Sequence, residues 1–430
     1  MKIIGLEKDA AGLPVCHCSG VCGGCSYQGV PYEDQLKNKA GEAMRAFSDC
    51  GLDPALISSI KAAPERYHYR NRMDYTFGNE YKDGPTILGL HRKKSFMSVT
   101  DCSRCNIVHP DFNKILLSTL SFCLSKGYSH YNKKTHSGLL RNLILRRGVR
   151  TGELLVNIVT CSDPGFDEED FAKHILSIPL EGRVCGILRT INDNIADAVI
   201  PEELRLLYGR DSYEEIVLGL RFTVSAFSFF QTNVAAAERL YSDALSMIPG
   251  IEGKTVYDLY CGTGTISQAM ALKADRVIGV EIVEDAVRAA EENAALNKLD
   301  NCSFIAGDVL NVLDGIREKP NIIVMDPPRS GVHPKALSKI LSYGVPEILY
   351  ISCNPKTMAE NLRAARLSGY STDEVSLYDN FPFTKHTEAL CLLKKTCAAD
   401  DAHADSQIIV AGYADAADKS GEAGEDEHGI

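Results

Sequence analysis

The sequence predicts an α/β fold, in which a region made mainly of strands precedes a doubly wound parallel sheet. The first observation is that short apolar strands alternate with segments of helical periodicity in residues 211–397. The second is a glycine turn directly after the first of these strands. The third is that residues 31–210 read mainly as strands and include a hairpin. An α+β region followed by an α/β domain accounts for all three.

The second half of the chain carries the clearest alternation. We expect its strands at KTVYDLYC, DRVIGVE, NCSFIAGD, NIIVMDPP and EILYISC. Between the second and third of these, IVEDAVRAAEENAALN has apolar residues at helical spacing and charges on the other side. Such alternation is typical of a parallel sheet covered by helices on both faces.

Composition divides the rest of the chain into three segments. Residues 1–30 are rich in cysteine and glycine, and they are too few to form a core of their own. Residues 31–210 begin with a helical stretch, PYEDQLKNKAGEAMRAF, and later LRNLILRRG and ELLVNIVT flank a turn at Thr151 and Gly152. Residues 398–430 contain few large apolar side chains, so we expect a disordered acidic tail.

The charge distribution bears on the partners of the protein. The formal net charge is -11, but the tail alone carries about eight of these negative charges. Residues 61–150 instead contain 17 Lys and Arg against 6 acidic residues. This segment can face a phosphate backbone, although an ordinary solvated basic face is the alternative.

The start of the chain and its apolar runs bear on location. No apolar run approaches the roughly 20 residues that span a bilayer, and MKIIGLEKDAAG lacks the apolar core of a secretory signal. We therefore expect a cytoplasmic monomer without a membrane association or an obligate protein partner.

Acidic residues at successive strand ends indicate the bound cofactor. The turn after the first strand, with Gly262 in DLYCGTGT, lets the backbone approach a ligand closely. Glu281 ends the second strand, where a carboxylate can bind both ribose hydroxyls. Asp308 ends the third strand beside an expected adenine edge, and Asp326 ends the fourth. These groups suit S-adenosylmethionine better than a dinucleotide, and the pattern is that of a class I, Rossmann-like methyltransferase.

Cys353 is the candidate nucleophile. It follows the fifth strand and so lies at the sheet edge where ligands bind. Carbon 5 of uracil is a poor nucleophile, but a thiolate that adds to carbon 6 converts the ring to an enolate that accepts a methyl group. A free thiol is only slightly ionised at neutral pH, so we expect the site to favour the thiolate. The structural alternative is a buried thiol at a strand end.

The chemistry also needs a base to remove the proton from carbon 5. Glu388, in FPFTKHTE before the last apolar strand, is the first candidate, and His386 is the second. A uracil in folded RNA has to be unstacked before it reaches this pocket. In FSFFQ, phenylalanines can stack on the extruded base or fill the core, and Gln231 offers an amide to the uracil or the cofactor.

The N-terminal cysteines predict a metal centre. Cys16, Cys22 and Cys25 have the spacing C-x5-C-x2-C, and Cys102 is the preferred fourth ligand, with Cys105 as its competitor. Four thiolates can hold an iron-sulfur cluster or a zinc ion. With Cys18 in place of Cys16, the spacing becomes C-x3-C-x2-C, which is typical of radical adenosylmethionine enzymes.

Taken together, C-x5-C-G-G-C, FFQTN, DLYCGTGT, DPPRSG, SCNP and FPFTKHTE resemble the RNA uracil-C5-methyltransferases, in particular the iron-sulfur branch that acts on 23S ribosomal RNA. The resemblance implies that Cys353 is the nucleophile and Glu388 the base. It also implies cofactor contacts from Gln231, Tyr260, Glu281 and Asp326. A 4Fe-4S cluster on Cys16, Cys22, Cys25 and Cys102 is implied as well. Many members begin with an OB-like RNA-binding domain that does not fit before Cys16, and Ser330 replaces a common alanine.

Three alternative functions remain open at this stage. The same chemistry on a transfer RNA uracil would leave every site residue unchanged. A radical adenosylmethionine enzyme would require Cys18. A zinc-stabilised RNA-binding module would not need Cys353.

Overall fold

The computed structural model of the chain describes residues 16–195, 199, 201–315 and 319–396. The tail predicted to be disordered therefore lies outside the described residues, as does the first half of the cysteine-rich segment.

Nine α-helices and eighteen β-strands are formed by the described residues. The helices are α1 (Tyr32–Asp49), α2 (Pro110–Ser125), α3 (Glu168–Leu176), α4 (Val234–Ser246), α5 (Thr265–Ala271), α6 (Glu284–Leu296), α7 (Val309–Gly315), α8 (Pro334–Ser342) and α9 (Pro355–Leu367). The strands are β1 (Ile57–Lys61), β2 (Arg72–Gly78), β3 (Ile87–His91), β4 (Val99–Asp101), β5 (Leu140–Arg147), β6 (Glu153–Thr160), β7 (Arg183–Ile191), β8 (Glu203–Gly209), β9 (Ser212–Val217), β10 (Leu220–Ser225), β11 (Thr255–Leu259), β12 (Arg276–Glu281), β13 (Cys302–Ala306), β14 (Ile322–Met325), β15 (Glu347–Ser352), β16 (Tyr370–Ser371), β17 (Val375–Tyr378) and β18 (Glu388–Lys395).

The larger sheet has nine strands in the order β1-β17-β18-β15-β14-β11-β12-β13, with β16 paired to β18. Strands β11 to β15 are parallel to one another, and β18 runs antiparallel beside β15. This sheet confirms the predicted α/β domain of the Rossmann-like class. Its central strands are short and mostly apolar at buried positions because helices cover both faces, with Asp258 of β11 and Ser352 of β15 as buried polar exceptions.

The two faces of this sheet bury separate cores. On β11, Val256 packs with α4 and α5, whereas its neighbour Tyr257 packs with α1, α8 and α9 on the opposite face. Adjacent side chains on a strand point to opposite faces, so every central strand contributes to both cores.

The smaller sheet has seven strands in the order β4-β3-β2-β5-β6-β7-β8. The predicted hairpin is present, because β5 and β6 pair antiparallel on either side of the turn at Thr151 and Gly152. Helices α2 and α3 pack on this sheet and form the α+β region.

The structure differs from the predicted boundary at residue 31. Helix α1 packs against α9, and β1 pairs in parallel with β17 of the nine-stranded sheet. Residues 32–61 therefore belong to the α/β layer and not to the central region. The reason is burial, because Ala43 and Phe47 of α1 fill the same core as Leu362 of α9.

Candidate active site

The carboxyl ends of five parallel strands meet at one edge of the larger sheet. Because β11 to β15 run in the same direction, the residues that follow them lie on this edge together. These residues are Tyr260 and Gly262 after β11, Glu281 at the end of β12, Asp308 after β13, Asp326 after β14 and Cys353 after β15.

The glycine turn after β11 is tight and is held against β12. Tyr260, Gly262 and Gly264 all have positive φ angles, of 67°, 54° and 76°. A Cβ atom at Gly264 would lie 2.7 Å from the ring of Phe304, so only glycine fits there. Without side chains at Gly262 and Gly264, a ligand can approach the backbone of this turn closely.

Glu281 holds this turn to the connection after β12. Its Oε2 accepts a hydrogen bond from the Gly262 N–H at 3.0 Å, and its Oε1 accepts from the N–H groups of Ile282 and Val283. These three bonds orient the carboxylate at the edge before any ligand arrives.

Asp308 lies beside Tyr260 at the same edge. Its exposed carboxylate accepts a hydrogen bond from the Leu310 N–H at 2.8 Å, and its charge, together with burial, raises the pKa of Tyr260 to about 12. The structure therefore brings the phenol and the carboxylate predicted to contact the cofactor onto one side of the turn.

Cys353 and Glu388 face each other across two neighbouring strands. Strands β15 and β18 are antiparallel, with Ser352 opposite Ala389, so the next pair outward is Cys353 and Glu388. Asn354 caps helix α9 by accepting a hydrogen bond from the Lys356 N–H at 3.1 Å. This cap turns the chain at Cys353 and leaves the thiol half-buried at the strand end.

The carboxylates around this thiol are poorly solvated. Burial raises the pKa of Glu388 to about 8, with a further increase from the negative charge of Asp326. Burial also raises the pKa of Asp326 to about 7. Two carboxyl groups that titrate near neutrality in one crevice are typical of an acid-base site.

The sequence analysis expected the site to favour the thiolate of Cys353, but the surroundings of this residue favour the protonated thiol. Burial raises the pKa of Cys353 to about 12, and the charges of Glu388 and Asp326 raise it further. In the ligand-free protein Cys353 is therefore a thiol at neutral pH, because low solvation and two acidic neighbours oppose a third negative charge.

Arg329 is a functional candidate that the sequence analysis missed. Its positive charge lowers the pKa of both Cys353 and Glu388, and Asn354 donates a hydrogen bond to its carbonyl oxygen at 3.1 Å. Its Nη2 lies 3.5 Å from the ring nitrogens of His386. The motif DPPRSG contained this arginine, but spacing alone did not show which groups its charge would face.

His386 is a neutral group in this site. Burial lowers its pKa to about 4, and the charge of Arg329 lowers it further. The imidazole is half-buried and contacts Arg329. His386 lies two residues before Glu388, just ahead of β18.

The Gln231 segment closes the crevice from the side of the smaller sheet. The side chain of Gln231 is hydrogen-bonded to Tyr241, whose hydroxyl is within electrostatic range of Asp326 and Glu388. The backbone carbonyl oxygen of Gln231 accepts a hydrogen bond from the Asn71 side chain at 3.1 Å. Phe229, two residues earlier, is 68% exposed, so it is free to contact a ligand, whereas Phe230 is buried in the core.

The loop that leads to Glu388 is anchored to the N-terminal segment. The carbonyl oxygen of Phe383 accepts hydrogen bonds from the N–H groups of Ser26 and Tyr27 at 2.9 and 2.8 Å. Its own N–H donates to Gln35 Oε1 at 2.9 Å. A fully buried ion pair between Lys39 and Asp379, at 2.5 Å, fixes the start of the same loop. The position of Glu388 therefore depends on residues more than 340 positions earlier in the chain.

The predicted metal ligands lie near two further cysteines, but among the described residues the set whose donor atoms all lie within 4.8 Å of one another is Cys16, His17 and Cys18, of which only Cys16 was predicted. Cys22 Sγ lies 3.8 Å from Cys102 Sγ, and the thiol of Cys18 is within hydrogen-bonding range of both Cys16 and Cys102. Cys25 and Cys105 lie close enough to Cys22 for their charges to interact. Thiolates are the ligands of iron-sulfur clusters and of many zinc sites, so this group of cysteines is a candidate metal centre.

No helix among the residues that the structure describes is both long and apolar enough to cross a membrane.

Comparison with known proteins places these features in context. Residues 217–396 match the model of a family described as tRNA (uracil-5-)-methyltransferase. An RNA methyltransferase of Clostridium acetobutylicum, described as uncharacterized, is 44% identical over 395 residues, which cover 92% of this chain and 87% of that protein. A similarly described protein of Caldanaerobacter subterraneus subsp. tengcongensis is 47% identical over 381 residues, covering 89% and 84%.

One solved structure shares most of the architecture. It is the Pyrococcus abyssi tRNA (uracil-54, C5)-methyltransferase in complex with S-adenosyl-L-homocysteine, with a TM-score of 0.71 and 25% sequence identity. The match covers 86% of this chain and 85% of that one, so it includes both sheets.

Proposed function

This chain belongs to the RNA uracil-C5-methyltransferase family, and we propose that it methylates carbon 5 of a uracil in 23S ribosomal RNA through a covalent adduct on Cys353. The observation that carries the proposal is that Cys353, at the end of β15, lies close enough to Glu388, at the start of β18, for the Glu388 charge to raise the pKa of the thiol. This pair lies at the sheet edge that also holds the glycine turn and Asp326. S-Adenosylmethionine, when bound there, supplies an electrophilic methyl group on a cationic sulfur.

We assign cofactor binding to the residues around the glycine turn. In this proposal Glu281, which is oriented by the Gly262 N–H, accepts hydrogen bonds from the ribose hydroxyls, and Tyr260 and its neighbour Asp308 contact the adenine. We also assign cofactor contacts to Gln231 and Asp326, which share Tyr241 as a neighbour. The backbone of Gly262 completes the turn that carries these contacts.

Each residue of the pair has a separate task in the reaction. The Cys353 thiol releases its proton to solvent as its sulfur forms a bond to carbon 6 of the uracil, and the electron pair released at carbon 5 takes the methyl group. Glu388 then accepts the proton from carbon 5, and the bond between sulfur and carbon 6 breaks as the ring double bond returns. The net change replaces one hydrogen by a methyl group and releases one proton, while Cys353 is regenerated.

Arg329 makes this sequence feasible in a buried crevice. Both the thiolate and the Glu388 carboxylate are negative, and the arginine is the cation whose charge lowers both of their pKa values. We therefore assign Arg329 a positioning and electrostatic role rather than a role in bond making.

Replacing Arg329 by glutamine should displace the pH profile of the reaction. Glu388 accepts a proton only when ionised, so steady-state turnover should rise with pH through the range of its pKa, about 8. Loss of the positive charge raises that pKa, and the rising limb should therefore move to higher pH. Arg329→Lys should restore most of the original profile, and Arg366→Gln, an exposed arginine near the far end of α9, should leave it unchanged. An unchanged profile in Arg329→Gln would contradict the assignment.

We further propose that Cys16, Cys22, Cys25 and Cys102 bind a 4Fe-4S cluster. The support is the C-x5-C-x2-C spacing, the burial of Cys16, Cys22 and Cys102, and the 3.8 Å separation of Cys22 and Cys102. The Rossmann-like fold gives no support to the radical-enzyme alternative, since the cofactor pocket of such enzymes belongs to a different fold. Cys18 and Cys105 are neighbours of the cluster in this proposal.

The fourth ligand can be tested by iron content. Cys102→Ser should lower the iron bound per chain after anaerobic purification and should weaken the visible absorbance of the cluster. Cys105→Ser is the matched control and should keep both. The reverse result would transfer the fourth position to Cys105, and stoichiometric zinc in the wild type would replace the cluster proposal.

The substrate is tested by mapping 5-methyluridine in ribosomal and transfer RNA from cells with and without the gene. The cysteine motif supports 23S ribosomal RNA, whereas the family description and the Pyrococcus abyssi protein concern transfer RNA. Loss of a 23S modification is the expected result. Loss confined to transfer RNA would correct the substrate alone, and no change in either RNA would refute the function.

A further inference from the structure

We propose that the loop of residues 92–98, between β3 and β4, is a surface that grips unpaired nucleotides of the RNA substrate. The inference rests on the proposed function, because RNA is the partner there. It adds a binding element in the smaller sheet, apart from the crevice of Cys353. We refer to these residues as the 92–98 loop.

The apolar side chains of this loop are turned toward solvent. Phe96 is 83% exposed, which is the highest value among the large apolar side chains of the described residues, and Met97 is 49% exposed. Burying an aromatic ring is strongly favourable, so a phenylalanine left this open indicates a surface that is covered by a partner.

The charges around Phe96 are positive. Lys93 and Lys94 are exposed, and neither side chain forms an ion pair with any described residue. Lys133 donates a hydrogen bond to the carbonyl oxygen of Phe96 at 3.1 Å and brings the exposed Lys134 to the same place. Lys93 and Lys94 in the loop, together with Lys133 and Lys134 beside it, make a positively charged surface suited to a polyanion.

Single-stranded RNA fits this combination best. A base can stack on an exposed ring whatever its sequence, and lysines contact the phosphates on either side. A paired helix would not present the face of a base to Phe96, so the occupant is an unpaired stretch. Extrusion of the target uracil already requires unpaired nucleotides near the enzyme.

The cysteine segment holds the 92–98 loop in shape. The Lys93 N–H donates to the carbonyl oxygen of Val21 at 2.7 Å, and the Gly23 N–H donates to that of His91 at 2.9 Å. Cys22, which lies between Val21 and Gly23 in the sequence, forms a β-bridge with Arg92. The backbone of the RNA-binding loop is therefore paired to the stretch that carries the proposed cluster ligands, which assigns that stretch a bracing role.

The test measures RNA affinity by fluorescence anisotropy with the full-length protein and a fluorescein-labelled U20 RNA. Lys93→Ala/Lys94→Ala should reduce the slope of log affinity against log salt by about 1.4. Phe96→Ala should weaken binding about tenfold with little change in slope, because it removes stacking and no charge. The matched control is Leu272→Ala/Lys273→Ala, an exposed apolar residue and lysine just after α5, at the sheet edge opposite the crevice.

The outcomes separate this inference from the proposed function. With methylation of the mapped RNA as a second readout, the loop variants should raise KM and leave kcat unchanged. Variants that bind and methylate like the control, or a wild type that does not bind U20 at 50 mM salt, would overturn the inference alone. Weakened binding by the variants in a protein that makes no 5-methyluridine would overturn the proposed function alone.

Discussion

Replacing Cys353 by alanine should abolish methyl transfer, with a fall in the single-turnover rate of at least about 10⁴-fold. Without the sulfur no adduct forms at carbon 6, and carbon 5 of the uracil stays too electron-poor to attack a methyl group. S-Adenosylmethionine binding should change little, since Glu281, Tyr260 and the glycine turn are untouched. Radioactive methyl transfer to RNA measures the rate, and equilibrium dialysis measures cofactor binding.

A mechanism-based probe distinguishes a nucleophile from a structural thiol. RNA with 5-fluorouridine at the target carries fluorine in place of the proton that must leave, so the methylated adduct cannot resolve. Wild-type protein should form a complex with this RNA that survives denaturing electrophoresis, and Cys353→Ala should form none. Cys50→Ser changes a thiol at the C-terminal end of α1 and should retain both activity and the complex. Turnover by Cys353→Ser would refute the covalent mechanism.

Replacing Glu388 by glutamine should stop the reaction one step later. The methyl group is transferred, but the proton on carbon 5 has no acceptor, so the enzyme accumulates as an adduct with ordinary RNA. Turnover should fall about 10²- to 10⁴-fold, the usual contribution of a general base. Denaturing electrophoresis with unmodified RNA and labelled cofactor detects the trapped species.

Controls separate this result from loss of the fold. Glu374→Gln alters an exposed carboxylate just before β17 and should behave as wild type. Normal turnover in Glu388→Gln, combined with adduct accumulation in His386→Asn, would transfer the base to the histidine.

The fold stability of Glu388→Gln follows from the same pKa. Because the folded-state pKa of Glu388 is raised to about 8, the folded state holds a proton that the unfolded chain has lost above about pH 4.5. The stability that this bound proton provides is therefore lost as the pH rises toward 8. Above that value the folded protein has to bury a charged carboxylate, which opposes folding. The glutamine variant should melt at a higher temperature than wild type at pH 9, which thermal denaturation measures.

Much of the active-site edge was predictable because its residues follow strands. Once KTVYDLYC, DRVIGVE and EILYISC are recognised as parallel strands, the residues at their carboxyl ends have to share one edge. Glu281, Asp308, Asp326 and Cys353 all lie there as a consequence. The chemistry expected of Cys353 and Glu388 stays a prediction until the variants above are measured.

Other features depended on contacts that no local pattern reports. The sequence analysis assigned α1 to the central region, because the sequence of a polar helix does not indicate which sheet the helix will pack against. Its partner α9 lies about 320 residues away, and β1 finds β17 at a similar distance. The six clustered cysteines are a second case, since spacing favoured four of them without showing that Cys18 and Cys105 lie beside the others.

The sequence by itself determined which residues end the strands and which chemical groups they carry, because strand periodicity and turn chemistry are local properties of the chain. Only the tertiary structure decided the electrostatic state of those groups. The pKa values of Cys353 and Glu388 depend on burial and on the charges of Asp326 and Arg329, which approach from other strand ends. Solvation and charge act through space, and distance along the chain does not report them.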